Sequence, residues 1–288
     1  MALPTVNDVG AVDPVLTNML VGYQQDASRF VASRVFPAIP VPYDSGTYYI
    51  FTKKYWFLDE MKQRAPGSDF PVADFGVSTD TFTTVQWALE THIADEIQAN
   101  SQIPMDLRVA KTQWLAQQSL LRKERAWAAD FMKTSVWTND NSVSNKWSDY
   151  QNSDPVADFL LAKREISQLT GMYPNLTVMG EIVLDRLLNH PDLIDRLKYV
   201  GRAGVDDMNA ALGSILGLNI LVGLGIYNSA NEGQTGTYSA IIDDDCLVLY
   251  TTPTPGIFEA SACYTFAWGG GGGTGSMYSG RDDRNQYD

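Results

Sequence analysis

The longest unbroken helical pattern in this chain runs from Met105 to Lys133. At about 1.5 Å per residue such a helix spans roughly 43 Å, more than the diameter of many small domains. The rest of the 288 residues must either grow around this rod or let it project, so it is expected to act as a spine. On a helical wheel of about 100° per residue, Leu107, Val109, Ala110, Trp114, Leu120, Leu121, Trp127, Ala128, Phe131 and Met132 share one broad face. Arg108, Lys111, Arg122, Arg125 and Lys133 line a single edge beside that stripe. Such an edge is either a solvated face or a surface for weak, sequence-independent, salt-sensitive contact with phosphates. Glu124 falls inside the apolar stripe and has no evident partner.

Upstream of the helix, Gly46 to Leu58 is dense in β-branched and aromatic residues and reads as a strand. Its expected partner lies near Thr81–Leu89, where Val85, Trp87 and Leu89 alternate on one face. A long polar stretch containing Arg64-Ala65-Pro66-Gly67 separates the two, so the unit is expected to be a hairpin with an extended tip. An isolated two-stranded ribbon is marginal in water, so this one is expected to need support from another chain. In the first 45 residues, Pro37, Pro40 and Pro42 remove backbone donors and favour an extended path. That segment reads as an arm, with a short helix near Asp13–Leu20 or Asp26–Arg34.

After the spine, Asp154-Pro155 supplies an N-cap followed by proline at the first helical position, and Gly171 supplies a stop. Leu176–Met179 reads as a short strand, with helices at Glu181–Leu188 and Pro191–Tyr199. Gly201–Asp207 reads as a loop in which one of Asp206 and Asp207 serves a helix N-terminus. Met208 to Asn231 has no charged residue and is long enough to span a membrane. Gly213, Gly217, Gly223 and Gly225 interrupt it, so a buried helix at Met208–Leu216, a turn and a strand at Leu218–Val222 are expected instead. Ser239–Asp243 and Cys246–Tyr250 read as a strand pair across the Asp243-Asp244-Asp245 turn, and Ala260–Trp268 as a final strand. This order fits α+β better than a doubly wound sheet.

The net charge of −13 is uneven. Residues 76–100 and 208–268 contain no base, whereas the spine segment is basic. An acidic chain of this kind is not a basic nucleic-acid clamp. Two cysteines, Cys246 and Cys263, cannot build a disulfide framework and read as small buried hydrophobes in strands. No secretory signal is visible at Met1–Val15, and a reducing compartment is expected. His92 beside Glu90, Asp95 and Glu96 offers a base–carboxylate pair but no nucleophile, and His190 before Pro191 reads as a turn residue. The Gly269–Gly273 run lacks the features of a phosphate loop, and the aspartate triplet lacks ligand spacing for a cation. Neither an enzyme nor a cofactor is expected.

The ordered layout resembles the major capsid proteins of tailed bacteriophages, with the Hong Kong 97-like fold. The residues that carry this are Ser33–Val41 as the N-arm segment, Tyr48-Tyr49 through Arg64–Gly67 as the extended E-loop, and Met105–Lys133 as the spine helix. Asn175–Gly180 with the following helix resembles the axial domain, and Tyr264–Trp268 a returning strand. The resemblance implies an N-arm over residues 1–45, an E-loop over 46–78 and a peripheral domain over 79–153. It implies an axial domain over 154–250, then a return strand and tail over 251–288. It implies a virion shell subunit, assembled in the host cytoplasm into hexamers and pentamers of an icosahedral head. Lys53, Lys54, Tyr55, Trp56, Phe57 and Arg64 would then contact a neighbouring subunit. The edge of Arg108, Lys111, Arg122, Arg125 and Lys133 would face packaged double-stranded DNA. Portal, scaffolding and decoration proteins are the other implied partners, and no membrane is involved. Crosslinking of an E-loop lysine is not expected. Alternatives are an encapsulin-like nanocompartment, an acidic cytosolic enzyme, and a tail or adaptor protein.

Overall fold

A computed structural model describes residues 25–100, 107–143, 145–200, 205–256 and 258–268. The expected helix at Asp13–Leu20, the Gly269–Gly273 run and the tail lie outside these residues. The N-terminal part runs through a 3₁₀ turn at Ala27–Arg29, α1 (Ala32–Val35) and β1 (Ala38–Val41). Next come β2 (Ser45–Phe51), α2 (Lys53–Trp56), β3 (Val77–Thr83) and α3 (Asp95–Asn100). The long helix α4 spans Leu107–Phe131, 25 residues or about 38 Å. It is followed by α5 (Pro155–Thr170), β4 (Leu176–Gly180), α6 (Glu181–Leu188), α7 (Pro191–Val200) and α8 (Val205–Leu216). The chain closes with β5 (Asn219–Gly223), β6 (Ile226–Asn228), β7 (Tyr238–Ala240), β8 (Cys246–Leu249) and β9 (Thr265–Trp268).

The organising element is β4, with all five residues buried. It pairs in parallel with β5 and antiparallel with β8, giving the sheet order β5-β4-β8. A strand buried on both faces sends alternate side chains into different layers. Leu176 and Val178 join Leu221, Ile242 and Leu249 on one side, where they meet Val31, Ala32, Val35, Phe36 and Trp127. Met179 faces the other side, among Phe159, Leu184, Leu187, Leu193, Leu212 and Leu216. The first core therefore joins the N-terminal segment and the end of the long helix to the sheet. The second joins helices α5 to α8 to its opposite face.

Local signals work as expected in α5. Asp154 accepts from the Ala157 amide at 3.0 Å, proline opens the helix, and Gly171 ends it at φ 72°. The 208–231 segment is the expected helix, turn and strand, with Gly217 at φ 60°. Among the described residues, no helix is long and apolar enough to cross a membrane.

Several pairings differ from the sequence reading. The hairpin partner of β2 is Val77–Thr83, with Tyr48 opposite Asp80. Val85, Trp87 and Leu89 lie beyond it in irregular chain, at 70%, 67% and 57% exposure. Their alternation has no opposing strand to pair with, because the chain turns toward α3. Cys246–Tyr250 does not pair with Ser239–Asp243. Instead β8 adds to β4, and β7 pairs with β6, because the buried β4 edge offers a longer apolar ladder than a local hairpin. The last strand is shorter than expected and pairs in parallel with β1, Ala38 opposite Thr265. Cys263 consequently lies before the strand. Helix α8 begins at Val205, so part of the expected loop is helical and Asp206 and Asp207 fall in its first turn.

Candidate assembly surface

The hairpin β2–β3 carries an excursion over residues 52–76 that packs little of its apolar surface. Trp56 is 58% exposed, Phe70 77%, Met61 93% and Val72 95%. Covering each such side chain would contribute about 1.5–3 kcal/mol, and among the described residues no core covers them. A small aromatic cluster anchors the base. Phe51 packs against Trp56 at 6.2 Å, Phe75 at 6.3 Å and Phe258 at 5.2 Å between ring centroids.

Of the expected contact residues, several are already engaged within the chain. Lys53 donates to the carbonyl of Leu169 near the end of α5, and its ammonium lies 5.5 Å from the Phe57 ring. Phe57 covers Gly171, where a Cβ would stand 2.8 Å from the ring. Tyr55 covers Gly76 in the same way. Arg64 stacks on Phe70 at 4.2 Å and donates to the Ser68 carbonyl at 3.0 Å, closing the tip turn. Lys54 is exposed. Lys53 and Phe57 thus steer the excursion across the end of α5, while Trp56, Met61, Phe70 and Val72 stay uncovered.

The long helix ends at Phe131, so it holds four of the five expected bases, and Lys133 lies just past it in a bend where the chain leaves the helix axis. Arg122 lies over Trp87 at 3.8 Å and Arg125 over Tyr227 at 4.4 Å. Lys111 donates to the His92 carbonyl. Arg108 and Lys133 are exposed. A guanidinium on an aromatic face keeps its charge and its edge N–H groups, so stacking fixes these cations in place and leaves them positive. The face opposite is only partly buried: Trp127 is in the core, whereas Val109 and Trp114 are 51% and 46% exposed.

Glu124 is the residue whose role the sequence did not reveal. It is 1% exposed. Its carboxylate accepts from the amide of Val31 at 3.0 Å and from that of Ala32 at 2.7 Å. These amides open α1 and have no intrahelical partners, so a side chain from a distant helix supplies the missing cap. Burial pushes the Glu124 pKa up, and the two amides oppose that shift. The one available signal was an acid placed within an apolar stripe.

His92 and Glu90 are 3.7 Å apart on the surface. His190 is fully buried, with Ser153 Oγ at 3.1 Å from Nε2 and Asp192 at 3.7 Å from Nδ1. Ser153 is itself buried and donates to the Asp149 carbonyl at 2.6 Å, so this trio ties a loop to the α6–α7 turn. Burial pushes the Cys246 thiol up to about 11 and raises that of Cys263. Among the described residues, no cluster of histidine, cysteine and carboxylate side chains is placed to hold a metal ion.

The exposed apolar groups of the β2–β3 excursion form a surface open to contact with other chains. Comparison with known proteins points to one class. Over 240 residues the chain is 25% identical to the major capsid protein of Burkholderia phage BcepMu, covering 80% of this chain and 75% of that one. A phage-related protein from Bordetella bronchiseptica RB50 has a similar structure, with a TM-score of 0.65 and 26% identity over 96% of this chain and 89% of that one. The mature capsid of bacteriophage PhiM1 shares the fold, with a TM-score of 0.54 and 13% identity over 87% of this chain and 77% of the capsid chain. No family model matches. By these comparisons the chain is similar to phage capsid shell proteins, and the relative found by sequence is a major capsid protein.

Proposed function

We infer that this chain is the principal subunit of a tailed-phage head with the Hong Kong 97-like fold, and that it acts structurally, without catalysis. The observation that carries this reading is the similarity to a phage major capsid protein across 80% of the chain. The relatives are phage proteins, which favours a virus head over an encapsulin-like compartment.

In this reading the β2–β3 hairpin is the E-loop and lays Trp56, Met61, Phe70 and Val72 onto a neighbouring subunit. Their exposure in the single chain supports it. The long helix is the spine, and its edge of Arg108, Lys111, Arg122 and Arg125, with Lys133 just past its end, touches packaged double-stranded DNA weakly and without sequence preference. The stacked positions of Arg122 and Arg125 support a fixed basic edge. Hexamers and pentamers would tile the shell, with portal, scaffolding and decoration proteins as further partners. An acidic subunit with one mildly basic edge suits a container filled by a motor, because such a shell does not need to condense its genome on the wall.

Negative-stain microscopy of the purified protein, produced alone and together with its scaffolding protein, tests the reading. Closed shells of uniform diameter are expected. Rings or open tubes in both preparations would assign the chain to the tail or neck instead.

A further inference from the structure

A cavity of about 290 Å³ opens between α5, Tyr173 and the end of α8. Its lining is mixed: Phe159, Leu160, Ile215 and the ring of Tyr173 are apolar, Ser214 is polar, and Gly217 lies at its edge. Its one cation is Lys163, which is only 5% exposed. The ammonium donates to the carbonyl of Leu216, a free acceptor at the end of α8, and lies 5.3 Å from the Tyr173 ring. A lysine has three N–H donors, and the carbonyl takes one. Among the described residues no carboxylate pairs with it. Gly217 keeps the space beside the amine open, since a Cβ there would stand 3.3 Å from Nζ.

A buried ammonium without a counter-charge is costly, and a carbonyl with one aromatic face only partly offsets that cost. Burial alone lowers the Lys163 pKa, with no charged neighbour to oppose the shift. Among the described residues no anion fills this place, and a carboxylate on a short apolar stem is small enough for the cavity. An aspartate or glutamate side chain has that form. The supply is on the chain itself: it carries 34 acidic against 21 basic residues. The exposed hairpin excursion presents Asp59, Asp69 and Asp74 beside its uncovered apolar groups.

We propose that the Lys163 cavity is an intersubunit socket that accepts an acidic side chain from a second copy of this chain. This rests on the shell-protein reading and deepens it by assigning one contact that the fold alone does not specify. Inserting the carboxylate pairs the lysine, so the contact favours the assembled state.

A side-chain-resolution electron cryomicroscopy map of the assembled particle tests the proposal. The expected result is an aspartate or glutamate of a neighbouring copy within about 4 Å of Lys163 Nζ, the reach of an ion pair. A particle whose cavity is empty, or filled by the same subunit or by an apolar side chain, overturns the proposal and leaves the shell reading standing. Absence of any particle overturns both. As a second readout, Lys163→Met is expected to raise the critical assembly concentration about tenfold, a loss of about 1.4 kcal/mol per contact, and Lys163→Arg to restore much of it. An unchanged critical concentration in a Lys163→Met protein that melts like the parent also overturns it.

Discussion

The carboxylate of Glu124 sits 2.7 Å from the amide nitrogen of Ala32, 92 residues away in sequence. With the Val31 amide bound at 3.0 Å, one side chain of the long helix caps the short helix of the N-terminal segment. Phe36 packs on Trp127 and Phe131 a turn further along, at 6.2 and 4.9 Å. Polar and apolar contacts therefore lock the same two elements together. Glu124→Ala removes the acceptor from two amides in the core, at about 1–3 kcal/mol for each group left unsatisfied. A loss of about 3 kcal/mol is expected in denaturant unfolding, and Glu124→Gln should lose about 1–2 kcal/mol because one carbonyl oxygen remains.

The pH dependence of that substitution has a definite sign. Burial raises the Glu124 pKa above the ordinary glutamate value of 4.5. The folded protein therefore binds more protons than the unfolded chain between the two values, and stability falls as pH rises through that window. The contribution is complete below the unfolded value and is lost above the folded one. The cost of Glu124→Gln should thus be greatest at acid pH and shrink toward neutrality. Parallel urea titrations of parent and variant between pH 4 and pH 8 would read this, and a cost that grows with pH would contradict it.

The excursion of the hairpin should be dispensable for folding and necessary for assembly. Phe70→Ser and Val72→Ser alter residues 77% and 95% exposed. Each is expected to leave subunit stability within about 0.5 kcal/mol and to reduce particle yield severalfold by sedimentation. Equal particle yields would remove this surface from the assembly account.

The basic edge makes a separate prediction. Reversing Arg108, Lys111 and Arg122 to glutamate should reduce DNA content per particle more than it reduces the yield of empty shells. Absorbance ratios of gradient-purified heads would show it. Unchanged DNA content in the triple variant would place this edge away from the genome.

Gly180 ends β4 where a Cβ would lie 1.9 Å from the carbonyl oxygen of Asp243. Gly180→Ala must push the Asp243 turn off the sheet, at about 3 kcal/mol in an overpacked core. Calorimetry should show a lowered melting temperature with no change in particle geometry for whatever protein still folds.

Features set by local chemistry were legible in the chain itself. Asp154, Pro155 and Gly171 bound α5 through caps that depend on adjacent residues, and the long apolar period defined α4. Partner choice was not legible. The alternation at Val85, Trp87 and Leu89 resembles a strand, yet Thr83 ends the ladder. Ser239 and Cys246 looked like hairpin partners, yet β8 adds to β4. These outcomes depend on which distant edge offers the better buried ladder. Glu124 and Lys163 are the sharper cases. Each is a charge in an apolar stripe, and its meaning depends on amides or carbonyls brought near by the tertiary fold.

The proposed function requires this chain to assemble with itself. Light scattering on size-separated protein, across a hundredfold range of concentration and at several salt concentrations, tests that most directly. Concentration-dependent oligomers leading to particles of a single large mass are expected. A sharply monodisperse monomer under every condition would contradict it.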